Sequence, residues 1–355
     1  MGNRKIKNNI MLLCCTLFLV AALMQMGVAA GEVKEMIGAG ATFPYPLYSK
    51  WFDVYNKETG IKINYQSIGS GGGIQQLQNE IVDFGASDAF LSEEEMKAFK
   101  AEVLHIPTAI GGVAVIYNVD DPKLKIKLTG DLLAKIYLGE IKFWNDAALQ
   151  KANPDVKLPK LPIIVTHRSE GSGTTSIFTE YLEKVSPTWK GKVGSGKSVS
   201  WPCGIGGKGN EGVAGLIKQM KGTIGYGTTI YASENKLSYC SIQNKSGNFV
   251  YPTLISVSAS AKGNVPTDLR VSITDTDAKD GYPISGFTWL LINKEQNYGK
   301  RSKAQAQATV KFAKWAISDA QQYNESLLYS KIPDNVSKMA MDLVNSMTYN
   351  GEKLN

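Results

Sequence analysis

Four segments rich in glycine and hydroxyl residues stand where predicted strands meet predicted helices. They are GAGATFP (38 to 44), IGSGGG (68 to 73), FGASD (84 to 88) and RSEGSGTT (168 to 175). The first turn of a helix presents unpaired backbone N–H groups and a partial positive charge, and Ser or Thr adds a hydroxyl donor. Tight turns and helix caps explain any one such segment equally well. Four of them in one chain indicate a site for an oxyanion.

The segment RSEGSGTT is the most informative of the four, because Arg168 ends a predicted strand next to a predicted helix start. A guanidinium suits bidentate contact to an oxyanion. Glu170 could brace that guanidinium from behind, and the alternative is a surface ion pair worth under about 1 kcal/mol. The N–H and hydroxyl groups expected to point at the same anion belong to Ser172, Gly173 and Thr174.

Asp88 is unexpected in an anion site, because a carboxylate repels an anion. It fits a ligand that carries a proton. Phosphate keeps one or two protons near neutral pH and can donate a P–OH hydrogen bond to Asp88, whereas sulfate cannot. Sites built around a ligand's own donor can reject analogues that lack it by about 10⁴ to 10⁵. The alternative for Asp88 is a cap for the helix at LSEEE, but Ser92 is better placed for that, in a capping box with Glu95.

Residues 191 to 198, GKVGSGKS, match the nucleotide-binding pattern G-x-x-x-x-G-K-[ST]. A working P-loop follows a buried strand and opens a helix. This one follows VSPTWK and leads into SVSWPCGIGG, where proline and glycine disfavour a helix. The sequence therefore predicts an exposed loop before a short strand at SVSW, and no nucleotide.

The N-terminus predicts export. A basic start, an apolar run from Ile10 to Met24 and small residues before Ala30 are typical of a signal peptide, so we expect residues 1 to 30 to be cleaved and the protein to be periplasmic. Cleavage would remove three basic residues and no acidic one, lowering the formal net charge from +7 to +4. This mild excess, without a Lys/Arg block, argues against a nucleic-acid partner.

Two α/β lobes with mainly parallel sheets are expected to position these segments, since apolar strands alternate with amphipathic helices. The strand-like segments at 106 to 119 and 282 to 293 share a proline, then glycine, then an apolar run, and could be the two ends of an inserted domain. The predicted lobe I is residues 31 to 107 and 286 to 355, and lobe II is residues 108 to 285.

In order and spacing the chain resembles the periplasmic phosphate-binding proteins of bacterial phosphate-specific ABC importers. The motifs that carry the resemblance are GAGATFPYPLYSKW, IGSGGG, VDFGASDA, GEIKFWND, RSEGSGTT, WPCGIGGKGNEGV and GTIGYG. The resemblance implies a type II periplasmic-binding-protein fold, two hinge strands that cross between the lobes, and phosphate held between them. It also implies partners: a membrane permease and its ATPase subunits.

Carried over by motif, the resemblance implies eight phosphate contacts: Thr42, Phe43, Ser70, Asp88, Arg168, Ser172, Gly173 and Thr174. Phe43 would act through its backbone N–H. Three residues depart from the family pattern. Gly71 stands where serine is common, which removes a hydroxyl. Glu170 stands where Asp is frequent, which predicts a longer and looser brace on Arg168. Cys203 is unusual for the family.

Cys203 and Cys240 are the cysteines that follow the predicted signal peptide. In an exported protein they allow one disulfide, and the alternative is two free buried thiols.

Two other functions compete with phosphate transport. The first is binding of another protonated tetrahedral oxyanion, such as arsenate or a phosphonate. The second is a secreted phosphatase, which the sequence disfavours because His105 and His167 are its only histidines and form no metal-ligand cluster. We expect a monomeric binding protein, without enzymatic activity, cofactor or metal.

Overall fold

The computed structural model describes residues 33–119, 121 and 123–354. The predicted signal peptide lies outside the described residues. From Lys34 onward the chain forms one compact unit. Of the helices in the described ranges, none has the length and apolar character that crossing a membrane requires.

A mixed sheet is the centre of this unit, with the strand order β2-β1-β3-β12-β4-β8-β6-β7 and β9 also paired to β4. Two small sheets, β11-β10-β5 and β13-β14, lie outside it. The strands are β1 (Glu35–Gly40), β2 (Lys62–Ser67), β3 (Phe84–Ser87), β4 (Val103–Tyr117), β5 (Lys127–Leu128), β6 (Ile164–Arg168), β7 (Ile205–Gly207), β8 (Thr223–Thr228), β9 (Ser238–Tyr239), β10 (Ser241–Gln243), β11 (Phe249–Val250), β12 (Ser285–Asn293), β13 (Thr348–Tyr349) and β14 (Glu352–Lys353).

Helices follow most of the strands, as the alternating pattern predicted. They are α1 (Tyr45–Thr59), α2 (Ser70–Gln78), α3 (Glu93–Lys97), α4 (Gly130–Tyr137), α5 (Ala147–Ala152), α6 (Gly173–Val185), α7 (Pro187–Lys192), α8 (Gly209–Gln219), α9 (Thr229–Glu234), α10 (Leu254–Ser260), α11 (Lys303–Ala316) and α12 (Asp334–Asn345), with two short 3₁₀ helices at Asp319–Tyr323 and Glu325–Leu327.

The expectation of mainly parallel sheets is right at the flanks of the large sheet and wrong at its centre. β1 runs parallel to β2 and β3, and β6 runs parallel to β7 and β8. In the centre β12 pairs antiparallel with β3 and β4, and β4 pairs antiparallel with β8. The two parallel flanks are therefore joined through the antiparallel strands β12 and β4. β12 pairs with β3 of one flank, and β4 pairs with β8 of the other.

β4 is one continuous strand of 15 buried residues, although its proline and glycines suggested interruptions. Pro107 is accommodated because the register with β12 shifts between Thr288 and Trp289, at a site where a missing N–H is tolerated. Gly111 and Gly112 serve close packing instead of a turn. A Cβ at Gly111 would lie 2.5 Å from the Phe43 ring.

Helix α1 confirms its predicted pattern in detail. Its buried face is the predicted one, and it ends at Gly60, whose φ of 75° lies in the left-handed region. The buried residues are Leu47, Tyr48, Trp51, Phe52 and Tyr55. The rings of Phe52 and Tyr55 pack against Phe312 of α11, so one aromatic cluster joins the first helix to the C-terminal part of the chain.

The segment GKVGSGKS forms no P-loop, as predicted, but the strand expected at SVSW is absent from the described structure. Gly191 and Lys192 end α7, and residues 193 to 204 are irregular. Trp201 caused the misprediction, since its ring stacks on His167 at 4.8 Å and is not part of a pleated strand. The Lys197 carbonyl accepts the Ser172 N–H at 2.8 Å, so the segment supports the start of α6.

Candidate functional site

The four glycine- and hydroxyl-rich segments converge in the folded chain. Two lie on the first part of the chain, at the end of β1 and the start of α2. A third follows β3, and the fourth joins β6 to α6. The segments IGSGGG and RSEGSGTT are in direct contact. The Gly71 N–H donates to the Gly171 carbonyl at 3.0 Å, and the Gly173 N–H donates to the Ser70 hydroxyl oxygen at 3.0 Å.

Glycine is required at this junction. A Cβ at Gly173 would lie 2.6 Å from the Asp88 nitrogen and 2.7 Å from Ser70 Oγ. A Cβ at Gly71, where the family often has serine, would lie 3.2 Å from the Gly171 Cα. The departure at Gly71 therefore fits a close approach of two backbones.

All eight residues predicted as anion contacts are buried. They are Thr42, Phe43, Ser70, Asp88, Arg168, Ser172, Gly173 and Thr174. One of them already has a structural role, because Ser172 Oγ accepts the Thr175 N–H at 3.1 Å and caps α6. The Phe43 carbonyl accepts the hydroxyl of Tyr329, and its ring fills the space above Gly111.

Arg168 is held from two sides. Its Nε donates to Glu170 Oε1 at 2.9 Å, its Nη2 donates to the same oxygen, and its Nη1 donates to Thr174 Oγ1 at 3.3 Å. Glu170 Oε1 also accepts the Gly209 N–H at 3.0 Å. The brace predicted for Glu170 is present, and the expectation that the longer side chain would make it loose is wrong, since one oxygen contacts both the guanidinium and a helix start.

Asp88 is a buried carboxylate with few donors. Its Oδ1 accepts from the Thr288 hydroxyl at 2.9 Å, and its Oδ2 accepts from the Thr174 hydroxyl at a long 3.4 Å. Burial raises the pKa of Asp88 to about 7, although the Thr288 hydroxyl and the charge of Arg168 act against that shift. Ser92 and Glu95 form the capping box of α3, so Asp88 is not needed as a cap.

Sequence reasoning missed Asn210 and Thr288. Asn210, the second residue of α8, donates through Nδ2 to Thr42 Oγ1 at 2.8 Å and to Thr174 Oγ1 at 3.2 Å. Thr288 lies on β12 and contacts Asp88. The available signal for Asn210 was its place in KGNEGV, a further glycine-flanked helix start. Thr288 lies inside an apolar strand and gave no signal.

Of the two alternatives that the sequence leaves open for Cys203 and Cys240, the structure has free thiols at both positions. Cys203 lies in the loop that precedes β7, and its Sγ lies 3.5 Å from the Tyr137 carbonyl oxygen. Cys240 is fully buried between β9 and β10, where its N–H donates to the Val115 carbonyl. Burial raises the pKa of both thiols, which disfavours the thiolate that disulfide chemistry needs.

The two histidines contact residues that are not among the eight predicted anion contacts. His105 Nε2 accepts the Leu91 N–H at 3.0 Å, and burial lowers the pKa of His105 to about 3. His167 stacks its ring on Trp201, with the ring centroids 4.8 Å apart. Within the described ranges no group of three or more His, Cys, Asp or Glu side chains could hold a metal ion.

A mainly apolar cavity of about 220 Å³ adjoins the site on the Asp88 side. Its walls come from residues 88–95, 176–197, 271–274 and 286–289, and Lys197 and Glu95 form an ion pair at 2.7 Å among its lining residues. The ion pair thus links the two sides of the cavity.

The amino-acid sequence is similar to those of known proteins. Residues 28–320 match the model of the PBP superfamily domain. The chain is 46% identical over 308 residues to a phosphate-binding protein PstS of Xylella fastidiosa, covering 86% of this chain and 83% of the relative. It is 44% identical to the phosphate-binding protein PstS of Haemophilus influenzae, covering 86% of this chain and 91% of the relative.

A solved structure shares the fold. It is a putative phosphate ABC transporter substrate-binding protein from Clostridium perfringens with bound phosphate. It superposes with a TM-score of 0.62 at 17% identity, covering 84% of this chain and 100% of that one. At this identity the likeness concerns the fold alone.

Proposed function

The chain belongs to the PstS family of phosphate-binding proteins within the PBP superfamily, and we propose that it binds inorganic phosphate in the periplasm and delivers it to the permease of an ABC importer. The ATPase subunits of that importer would supply the energy. We further propose that the protein acts as a monomer and reaches the periplasm through a cleaved signal peptide.

The observation that carries the proposal is the contrast inside the site. Hydroxyl, guanidinium and backbone N–H donors surround one carboxylate, Asp88, which is buried and accepts hydrogen bonds from the hydroxyls of Thr288 and Thr174. A fully deprotonated anion such as sulfate would place an oxygen against this carboxylate without a proton between them. A protonated phosphate would donate that proton to Asp88 and accept from every other group.

We propose the eight buried residues as the phosphate ligands and Glu170 as the residue that braces Arg168. The proposed lobes are residues 31–107 with 286–355, and residues 108–285. The ligands Thr42, Phe43, Ser70 and Asp88 then belong to the first lobe, and the other four belong to the second. Closure would rotate the lobes about β4 and β12, which pair side by side from Val103 to Gly112.

Calorimetry with phosphate and sulfate tests the function. We expect tight phosphate binding and negligible sulfate binding, and we expect Asp88→Asn to narrow the difference because the amide can donate to a sulfate oxygen. Equal affinities of the unmutated protein for the two anions would contradict the role given to Asp88.

Closure has its own test in small-angle scattering with and without phosphate. The protein should become more compact on binding. Gly173→Ala should weaken both compaction and affinity, because the added methyl meets Asp88 and Ser70. Gly215→Ala on α8 is the matched control, since a Cβ there meets nothing within 4 Å. A radius that phosphate leaves unchanged would refute closure.

We also propose that the chain binds phosphate without hydrolysing phosphate esters. The two histidines make packing contacts away from the site hydroxyls, which supports this view. Incubation with p-nitrophenyl phosphate should release no product. Metal-independent turnover that disappears in Arg168→Ala would show that the protein is an enzyme.

A further inference from the structure

The orientation of the Asn210 amide follows from its backbone neighbour. Asn210 Oδ1 accepts the Thr228 N–H at 3.1 Å. A backbone N–H can only donate, so the amide oxygen must face Thr228 and the NH₂ group must face the other way. Its two hydrogens therefore point at the hydroxyls of Thr42 and Thr174.

The Thr42 hydroxyl receives two donors from this one residue. Asn210 donates to Thr42 Oγ1 through its backbone N–H at 3.1 Å and through Nδ2 at 2.8 Å. A hydroxyl has two acceptor lone pairs and one proton. With both lone pairs used, the Thr42 proton has to point in a third direction, away from Asn210.

The Thr174 hydroxyl is saturated in the same way. It accepts from Asn210 Nδ2 at 3.2 Å and from Arg168 Nη1 at 3.3 Å. Its proton then points toward Asp88 Oδ2, 3.4 Å away.

Ser70 completes the pattern with backbone donors alone. Ser70 Oγ accepts the Gly173 N–H at 3.0 Å and the Asp88 N–H at 3.3 Å. Each of the three hydroxyls thus receives two N–H donors. Asn210 supplies three of those six hydrogen bonds, and it is the only side chain among the donors whose polarity a single isosteric substitution can reverse.

We propose that Asn210 is a specificity-determining positioning residue that fixes the hydroxyl of Thr42 as a donor toward the anion and the hydroxyl of Thr174 as a donor toward Asp88. Asp88 is then the one acceptor of the site, so the site accepts a tetrahedral anion that donates one proton. This inference rests on the proposed function, because it concerns the same phosphate site.

The test compares Asn210→Asp with Asn210→Ala by phosphate calorimetry. The carboxylate of Asn210→Asp has the shape of the amide but accepts hydrogen bonds, so the Thr42 hydroxyl turns toward it and presents a lone pair to the anion, and the Thr174 hydroxyl turns away from Asp88. We expect about 100-fold weaker phosphate binding for Asn210→Asp and about 10-fold for Asn210→Ala, which only frees the hydroxyls.

A pH series separates this role from a structural one. Asp88 titrates in all the proteins, and Arg168 and Glu170 stand beside the same hydroxyls in all of them, so the useful quantity is the ratio of the variant Kd to the unmutated Kd. For Asn210→Asp this ratio should fall as pH is lowered, because a protonated carboxyl and a doubly protonated phosphate restore donors. For Asn210→Ala it should stay constant.

Asn153→Asp is the matched control. Asn153 is equally buried, and its Nδ2 donates to two carbonyls, of Lys127 and Leu149, outside the site. This variant should lose stability without losing phosphate affinity. Equal affinity of Asn210→Asp and the unmutated protein, or a ratio that does not change with pH, would overturn the inference alone. An unmutated protein that binds no phosphate would overturn the inference together with the proposed function.

Discussion

Two buried aspartates, Asp83 and Asp88, lie on either side of β3 and differ in the partners that surround their carboxylates. Asp83, just before β3, forms an ion pair with Arg301 at 3.0 Å, and both side chains are less than a tenth exposed. It also accepts from the Ile37 N–H at 2.6 Å and from Gln305 Nε2 at 3.1 Å. Asp88, just after β3, receives two hydroxyl hydrogen bonds, one of them long.

The arginines differ in the same sense. Arg301 is enclosed by its own segment, with Nη2 donating to Thr309 at 2.6 Å and its guanidinium 4.7 Å from the Tyr298 ring. Arg168 donates to Glu170 and Thr174 beside the converging loops. The buried pair of Asp83 and Arg301 holds elements together, because its carboxylate is bound by an ion pair and by donors from two further segments. An undersaturated carboxylate near a braced guanidinium keeps acceptor and donor capacity for a ligand.

The largest expected effect is a loss of stability when the buried ion pair between Asp83 and Arg301 is broken. Arg301→Met leaves Asp83 buried without its ion-pair partner, so we expect the unfolding free energy to fall by about 3 to 5 kcal/mol. Urea denaturation measures this change. Phosphate affinity of the folded variant should be unchanged, and a loss of affinity would show that the pair is not purely structural.

An exposed ion pair provides the control for that experiment. Lys57 and Asp53 pair at 2.7 Å on α1, with side chains 71% and 53% exposed. Lys57→Met should leave the unfolding free energy nearly unchanged, because water and salt screen a pair that is this exposed.

The pH dependence of stability sharpens the comparison at Asp88. Burial raises its pKa from 3.8 to about 7, so across this interval the folded state keeps a proton that the unfolded chain releases. The unfolding free energy of the phosphate-free protein should therefore fall as pH rises from about 4 to 7, by up to roughly 4 kcal/mol from this group. Asp88→Asn removes this contribution.

The measurable quantity is the stability of Asp88→Asn minus that of the unmutated protein, because other titrating groups cancel in it. This difference should grow in favour of the variant from acid to neutral pH. A difference that is constant over the interval would show that Asp88 ionises without the cost of burial.

Binding affinity provides the next test, at the braced arginine. Arg168→Met removes a charge whose hydrogen bonds to an anion are among the stronger kinds, so phosphate should bind about 10² to 10³-fold more weakly. Calorimetry measures the loss, and Arg301→Met is the matched arginine control. Unchanged phosphate affinity in Arg168→Met would place the anion elsewhere.

The sequence predicted the loops of this site better than their connections. Helix α1 could be read fully, because one apolar face and a stop glycine are local patterns. The residue types of the loops likewise indicated an oxyanion. The partners of those loops could not be read, since Asn210 contacts Thr42 across 168 residues and Thr288 contacts Asp88 across 200.

The errors have physical causes of the same kind. The alternation of serine with apolar residues at SVSW resembles a strand, but Trp201 is half-buried and its ring stacks on His167. The glycines of β4 resemble turn residues, but they make room for Phe43 and Pro252 from distant segments. In each case tertiary packing determined the conformation, and local pattern carried no record of it.

The smallest expected effect concerns the ion pair at the cavity beside Asp88. Lys197 and Glu95 are 20% and 33% exposed and join the segment before β7 to α3, so they would form only in the closed arrangement proposed above. Lys197→Met should weaken phosphate binding by no more than about 5-fold, since partly exposed pairs contribute up to about 1 kcal/mol. High salt should reduce the difference in phosphate affinity between the variant and the unmutated protein.

Lys192→Met is the control for this prediction. The ion pair of Lys192 with Glu140 lies wholly within the middle part of the chain, so its loss should leave phosphate affinity unchanged. An equal loss in both variants would mean that net charge, and not a link across the cleft, sets the effect.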